Sequence, residues 1–455
     1  MEMVLEFLRD VLSQPALLIG IMSCIGLIAL KRPFHKVMTG TLKPILGYLM
    51  LAAGAGVIVN NLDPLGKMIE HGFHITGVVP NNEAIVAVAQ KVLGVETMSI
   101  LVVGLLMNLC IARFTKFKYV FLTGHHSLFM ACLMSAVLGT AGLSGMELIL
   151  VGGFLMGAWS AISPAIGQSY TSKVTDGDEI ALGHFGSLGY YLSAWVAKYV
   201  GKAEDSTEDI EIPEKWGFLR DSTLSTALTM IVFYLIAAFA AGSEFVATLS
   251  GDMSPYLYAV MSAMNFAVGV TIVYSGVRMI LGDLIPAFQG IATKIIPNAI
   301  PAVDCAVFFT YAPTAVVLGF ISSFIGGIIG MLILGAVGGV LIIPGLVPHF
   351  FCGATAGIYG NATGGRRGAA VGAFLNGLAI TFLPALALPV LGQLGFQNTT
   401  FGDADFAVMG LVLGHAFEWI GMAGIYGIVA IAALVLIIPN FIKTKGKVIN
   451  YVEEE

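Results

Sequence analysis

Residues Cys305–Gly365 read CAVFFTYAPTAVVLGFISSFIGGIIGMLILGAVGGVLIIPGLVPHFFCGATAGIYGNATGG, sixty-one positions without one Asp, Glu, Lys or Arg. A helix needs about 20 apolar residues to cross the hydrocarbon core, so this run predicts two spans and a short re-entrant piece. Further uncharged stretches lie on both sides: Val11–Leu30, Pro44–Leu62, Thr97–Ala112, Tyr119–Met146, Leu148–Ser172, Ser222–Ser243, Met253–Val277 and Gly368–Gly402. Phe406–Ile442 is interrupted only by Glu418. Over all 455 residues 11% are charged and 57% hydrophobic. A soluble protein carries about 25% charged residues, so this chain lacks the groups to clothe a water-facing surface. The expected fold class is an all-α polytopic membrane protein.

The positions of Lys and Arg orient the spans. Lys31, Arg32, Lys36 and Lys43 follow the first span, and Arg113, Lys116 and Lys118 the third. Lys173, the region Lys198–Arg220, Arg278 with Lys294, Arg366–Arg367 and Lys443–Lys447 continue the series. All fall on one side if eleven spans run from an outer N-terminus to an inner C-terminus. Arg9, Lys67 and Lys91 stand elsewhere, each alone. Glu2, Glu6, Arg9 and Asp10 do not form the basic leader of a signal peptide.

Composition also excludes function classes. No basic stripe suits a nucleic acid. No GxxxxGK[ST] phosphate loop appears, so the chain does not drive itself with ATP. No HExxH or cysteine cluster suggests a metal, and the five cysteines (Cys24, Cys110, Cys132, Cys305, Cys352) read as packing residues in apolar context. Neither a metal nor a cofactor is expected.

Three stretches are too polar or too broken for simple spans: 63–96, 175–197 and 281–311, the last containing Pro286, Pro297 and Pro301. Irregular backbone at membrane depth survives only where protein buries it or it lines a watery cavity, and such breaks point to a transporter's binding site. The first and third each deliver an acid just after a proline, Glu83 after Pro80 and Asp304 after Pro301, which hints at an internal repeat. An ionisable group in such a segment is a functional candidate. Asp304 reads either as a solute contact or as a helix cap, and Glu83 likewise, with Asn81 or Asn82 as neighbouring cap. His125 and His126 open an uncharged span. Adjacent helical residues face different ways, so one of them, His125 by preference, is expected on a cavity. His184 lies in a glycine-flanked break where backbone closes on a ligand. His349 reads as a packed histidine, and His415 with Glu418 as a surface pair three residues apart.

Several motifs together resemble a known family. LTGH (122–125), KVTDG (173–177) followed by GH (183–184), AVDCAVFFTYAPTAVVLGF (302–320) and LIIPGLVPHFF (341–351) look like the ascorbate-type IIC permease of the bacterial phosphotransferase system. The resemblance runs from about residue 15 to 440. It implies an eleven-span homodimer in the bacterial inner membrane, working as an elevator. Residues 1–455 would form one permease unit, with a substrate-binding core including 63–197 and 281–367. The remaining spans would make the dimerising scaffold, and 198–221 a cytoplasmic linker. The solute would be phosphorylated by a cytosolic IIB subunit, itself charged through IIA, so this chain needs no catalytic nucleophile.

The resemblance implies solute contacts at Asn82, Glu83, His125, His126, Phe129, His184, Phe185 and Asp304. Ascorbate members carry glutamine at the positions of Phe129 and Phe185, and a Thr-Tyr pair where Asn82-Glu83 stands here. Two phenyl rings replacing polar contacts, with an added acid, change the pocket's hydrogen bonding. A neutral sugar or polyol therefore stands beside ascorbate as the expected solute. Two other classes fit the residues: an ion-coupled secondary transporter, and a membrane-embedded acid–base enzyme.

Overall fold

A computed structural model describes residue 11 and residues 14–74, 77–78, 80, 82–177, 179–210, 222–392 and 400–441. The chain begins with α1 (Pro15–Ala29), α2 (Phe34–Phe73) and α3 (Asn82–Phe114), then β1 (Tyr119–Phe121), α4 (Gly124–Thr140), α5 (Gly145–Thr175), β2 (Ala181–Leu182) and α6 (Ser187–Val200). The second half holds α7 (Ser222–Ala241), α8 (Ser243–Ser250), α9 (Pro255–Lys294), β3 (Ile300–Val303) and a 3-10 turn (Cys305–Thr310). It closes with α10 (Pro313–Ala336), α11 (Leu346–Gly392), α12 (Ala404–Ile420) and α13 (Met422–Phe441).

Among the described residues, seven helices are long and apolar enough to cross a membrane, or eight when Thr226–Ala241 and Ser243–Ser250, bent by 117°, count as one. The chain is thus a multi-pass membrane protein. The eleven spans expected include Val11–Leu30 and Tyr119–Met146, whose helices α1 and α4 have 15 and 17 residues and fall short of an ordinary span. Large apolar side chains face outward from many helices, among them Ile28, Leu46, Leu106, Ile236, Leu332, Ile431 and Leu434. In water such a belt would drive aggregation; against lipid it is the expected surface.

Lipid tails are as apolar as leucine, so helices in a bilayer associate by close packing rather than by hydrophobic burial. The pair α2 and α9, each 40 residues long, shows the consequence. A Cβ on Gly47 would lie 2.9 Å from the Gly276 carbonyl, and one on Gly54 2.7 Å from the Gly269 carbonyl. The numbering runs oppositely along the two helices, so they cross antiparallel with bare backbone in contact. Any side chain there would force them apart.

The polar breaks are narrower than the sequence suggests. α2 continues through Pro64 to Phe73, and α9 through Pro286 to Lys294. The long uncharged run breaks twice, before Leu346 and at Gly364–Gly365, where Gly365 has φ 58°. The polar loop from residue 201 seats itself at that second break. The Arg366 N–H donates to the Asp205 carbonyl at 2.8 Å, and the Thr207 N–H to Asn361 Oδ1 at 2.8 Å. Glu208 accepts the N–H groups of Thr314 and Ala315 at 3.0–3.2 Å, capping the otherwise unsatisfied start of α10.

What positions the site is a small parallel sheet, order β1-β3-β2. Tyr119, Val120 and Phe121 pair with Ile300, Pro301 and Ala302; Ala181 and Leu182 pair with Ala302 and Val303. Pro301 has no N–H to give, and the ladder is closed by Ile300 N–H to the Lys118 carbonyl, Leu122 N–H to Ala302 and Gly183 N–H to Val303, at 2.7–2.9 Å. Parallel strands release their C-terminal ends at one place. Here those ends are Thr123-Gly124-His125, Gly183-His184 and Asp304. A second, sparser ladder faces it. Val78 bridges Ile342 and Pro80 bridges Thr400, both parallel, and their ends are Asn82, Pro344-Gly345 and Gly402-Asp403.

Candidate functional site

Between the two ladders lies a cavity of about 1250 Å³. That exceeds the roughly 300–1,000 Å³ usual for small-molecule pockets, because it continues along α2 to an outer mouth. There Asp63 and Lys67 form an exposed ion pair at 2.8 Å. The inner end is polar. Tyr48, Asn82, His125, His126, His184, Asp304 and Asp403 line it, with Phe129 closing one side.

Each polar group is held by something definite. Asp304 accepts the Ala306 N–H on Oδ1 at 3.0 Å, capping the 3-10 turn. Its Oδ2 stands 3.5 Å from His125 Nε2. One oxygen thus caps the turn, as one of the two readings of this residue expects, and the other stands at the cavity beside His125. His125 Nδ1 meets the Tyr48 hydroxyl at 3.2 Å. His126 Nδ1 accepts the Phe185 N–H at 3.3 Å, and His184 Nδ1 accepts the Gly186 N–H at 3.2 Å and lies 2.9 Å from the Tyr190 hydroxyl. Backbone amides can only donate. Both rings are therefore assigned the tautomer with hydrogen on Nε2.

That assignment decides between two uses of the cluster. Donor atoms of His126, His184 and Asp403, and of His184, Asp304 and Cys305, gather within 4.8 Å in each trio, so either could surround a cation. A metal needs a lone pair on the imidazole nitrogen that faces it, and here each ring's accepting Nδ1 is taken by an amide. The rings offer N–H donors beside acceptor-only carboxylates. Such a surface suits the hydroxyls and oxygens of a polar organic molecule better than a metal ion.

Most of the residues singled out from sequence come together at this cavity: Asn82, His125, His126, Phe129, His184 and Asp304. His126 departs from the expectation that only one of the adjacent histidines would face it. α4 begins at Gly124, so both rings belong to its first turn and the cavity wraps around the helix end. The His126 and His184 rings lie 3.8 Å apart. Phe185 is behind the wall, fully buried, stacked on Phe121 at 4.6 Å. Its backbone does the contacting instead, giving its N–H to His126 and its carbonyl to the Asp405 N–H. Glu83 is the second residue of α3, but its side chain lies outside the described residues. His349 is buried against Phe324 and bonds Ser323, while His415 pairs with Glu418 at 3.0 Å on an exposed face.

Sequence reasoning missed Tyr48, Asp403 and Cys352. Tyr48 sits within an uncharged span, where its hydroxyl was the only signal. Asp403 falls just before the last apolar run and reads as a loop acid, although Gly402-Asp403 matches Gly183-His184 in form. Cys352 was read as packing, yet its thiol donates to Asp403 Oδ1 at 2.9 Å.

Residues 10–405 match the family model of the PTS system sugar-specific permease component, EIIC-GAT. The chain belongs to that family. Within this permease family, the ascorbate-specific PTS system EIIC component of Mycoplasma pneumoniae is 28% identical over 417 residues. The alignment covers 78% of this chain and 62% of that relative, so the chain spans less than two thirds of the relative's length.

Proposed function

We propose that this chain is a IIC permease that carries a small hydroxylated solute, ascorbate or a related sugar or polyol, to a cytosolic IIB partner for phosphorylation. The observation that carries this reading is the meeting of His125, His184 and Asp304 at the ends of one buried parallel sheet, inside an otherwise apolar helical shell. Oriented donors and acceptors in a water-accessible cavity bind a polyhydroxylated molecule, and the phosphoryl group comes from the partner's phosphocysteine, charged through IIA. The eight residues Asn82, Glu83, His125, His126, Phe129, His184, Phe185 and Asp304 form the proposed solute-binding set. Phe185, behind the wall, acts indirectly, its N–H orienting the His126 ring.

The finer architecture follows the same reading. Counting α1, α2, α3, α4, α5, α7, α9, α10, both halves of α11 and α13 as crossings gives eleven. α6 and α12, which start beside the cavity at His184 and Asp403, are then re-entrant. The equal lengths of α2 and α9, the two facing ladders and the antiparallel glycine crossing support two repeats, α1–α6 and α7–α12. Five crossings per repeat make them inverted. The N-terminus is then outside and the C-terminus inside the bacterial inner membrane, with 198–221 a cytoplasmic linker. The core including 63–197 and 281–367 would move against a dimeric scaffold as an elevator.

The test is uptake by vesicles containing the purified chain, with and without phosphorylated IIB. Solute should accumulate only with the partner, and only as its phosphate. Accumulation of unmodified solute driven by an ion gradient would instead establish an ion-coupled transporter.

A further inference from the structure

Two neighbouring acids at the start of α12 have opposite fates. Asp405 is fully buried and fully engaged, accepting from Trp159 Nε1 at 3.2 Å, the Ser187 hydroxyl at 2.7 Å and the Leu188 N–H at 2.9 Å. It ties α5, α6 and α12 together and does not line the cavity. Asp403 does line it. It occupies the N-cap position of α12 yet makes no side-chain cap bond, so capping does not explain it.

Asp403 is held from behind. Asn82 Nδ2 donates to Oδ2 at 2.6 Å, and Asn82 Oδ1 accepts the Gly402 N–H at 2.9 Å, which fixes that amide's orientation. The Cys352 thiol donates to Oδ1, and His184 Nδ1 stands 3.9 Å from the same oxygen. A carboxylate offers about four lone-pair sites and a thiol is a weak donor, so acceptor capacity remains toward the cavity. Among the described residues neither Asp304 nor Asp403 has a Lys or Arg partner; the basic groups that do pair lie at Asp63 and Asp283. Two poorly compensated carboxylates at one buried site need donors and repel a further negative charge.

We propose that Asp403 is a solute-binding carboxylate, presented by Asn82 and Cys352, which together with Asp304 selects an uncharged, hydroxyl-rich solute over an anionic one. This rests on the permease reading and narrows its solute class to neutral polyols and sugars. Ascorbate, an anion at neutral pH, is disfavoured.

Equilibrium dialysis of the full-length protein in detergent tests the inference, using labelled ascorbate and a labelled series of neutral tetritols, pentitols, hexitols and their sugars. At least one neutral solute should bind about tenfold more tightly than ascorbate, and Asp403→Asn should weaken it about tenfold while strengthening ascorbate. Asp403→Glu, which keeps the charge, should weaken the neutral solute yet leave the preference intact. It also serves should the asparagine variant aggregate. Tighter binding of ascorbate than of every neutral solute overturns the inference and leaves the permease reading standing, as does an Asp403→Asn protein with wild-type affinities. Failure of the wild-type protein to bind any of these solutes overturns both.

Discussion

The two ladders that face each other across the cavity share a backbone plan and differ in what they deliver. The β1-β3-β2 ladder is a true sheet, and its ends present His125, His184 and one acid, Asp304. The facing ladder consists of two isolated bridges, and its ends present an amide, a Pro-Gly pair and a second acid, Asp403. One arrangement of parallel ends thus serves twice, first for imidazole donors and then for acceptors. The difference teaches that the backbone fixes where side chains converge, while residue identity at those few positions sets the chemistry.

Removing the acid from the sheet side should have the largest effect. Asp304→Asn deletes the charge facing His125 but leaves an oxygen for the Ala306 N–H, so solute binding should fall by about a hundredfold with the protein still monodisperse. Unchanged affinity in equilibrium dialysis would remove Asp304 from the site. The next test concerns the wall behind that ladder. Phe185→Gln places an amide among Phe121 and Phe406 and should destabilise the fold by about 3 kcal/mol, read as a lower thermal midpoint. Phe129→Gln, on the cavity itself, should instead change which solute binds. If Phe185→Gln shifts solute preference at full stability, the assignment of the two rings is reversed. On the opposite ladder, Asn82→Ala should weaken solute binding by about fivefold, the scale of one lost hydrogen bond that orients a ligand. An effect as large as that of Asp304→Asn would make Asn82 a direct and dominant contact. The smallest change is expected at His415, whose partner is exposed: His415→Ala should alter neither affinity nor thermal midpoint measurably.

The helical membrane class was legible because so few charges cannot cover a soluble surface. Asp304, His125 and His184 were legible because ionisable groups are costly in apolar segments and rarely occur there by accident. Their meeting was not legible, since it depends on pairing three short strands far apart in sequence. The prolines misled about extent: Pro64 and Pro286 lie inside helices, where neighbouring helices tolerate the lost donor. The rule that adjacent residues diverge failed for His125 and His126 because it describes a helix shaft, and these sit at its tip. Asp403 escaped because an acid next to an apolar run resembles an ordinary loop residue until the fold brings Asn82 and Cys352 to it.

The crossing of α2 and α9 has a mechanical consequence. Helices meshed by large side chains resist sliding, because each knob must climb out of its hole before the next position is reached. At Gly47, Gly54 and Gly269 peptide meets peptide, and the side chains of Ile280, Val273 and Ile58 drop into the notches the glycines leave. That joint is keyed rather than smooth, and it ties the two long helices together as one body.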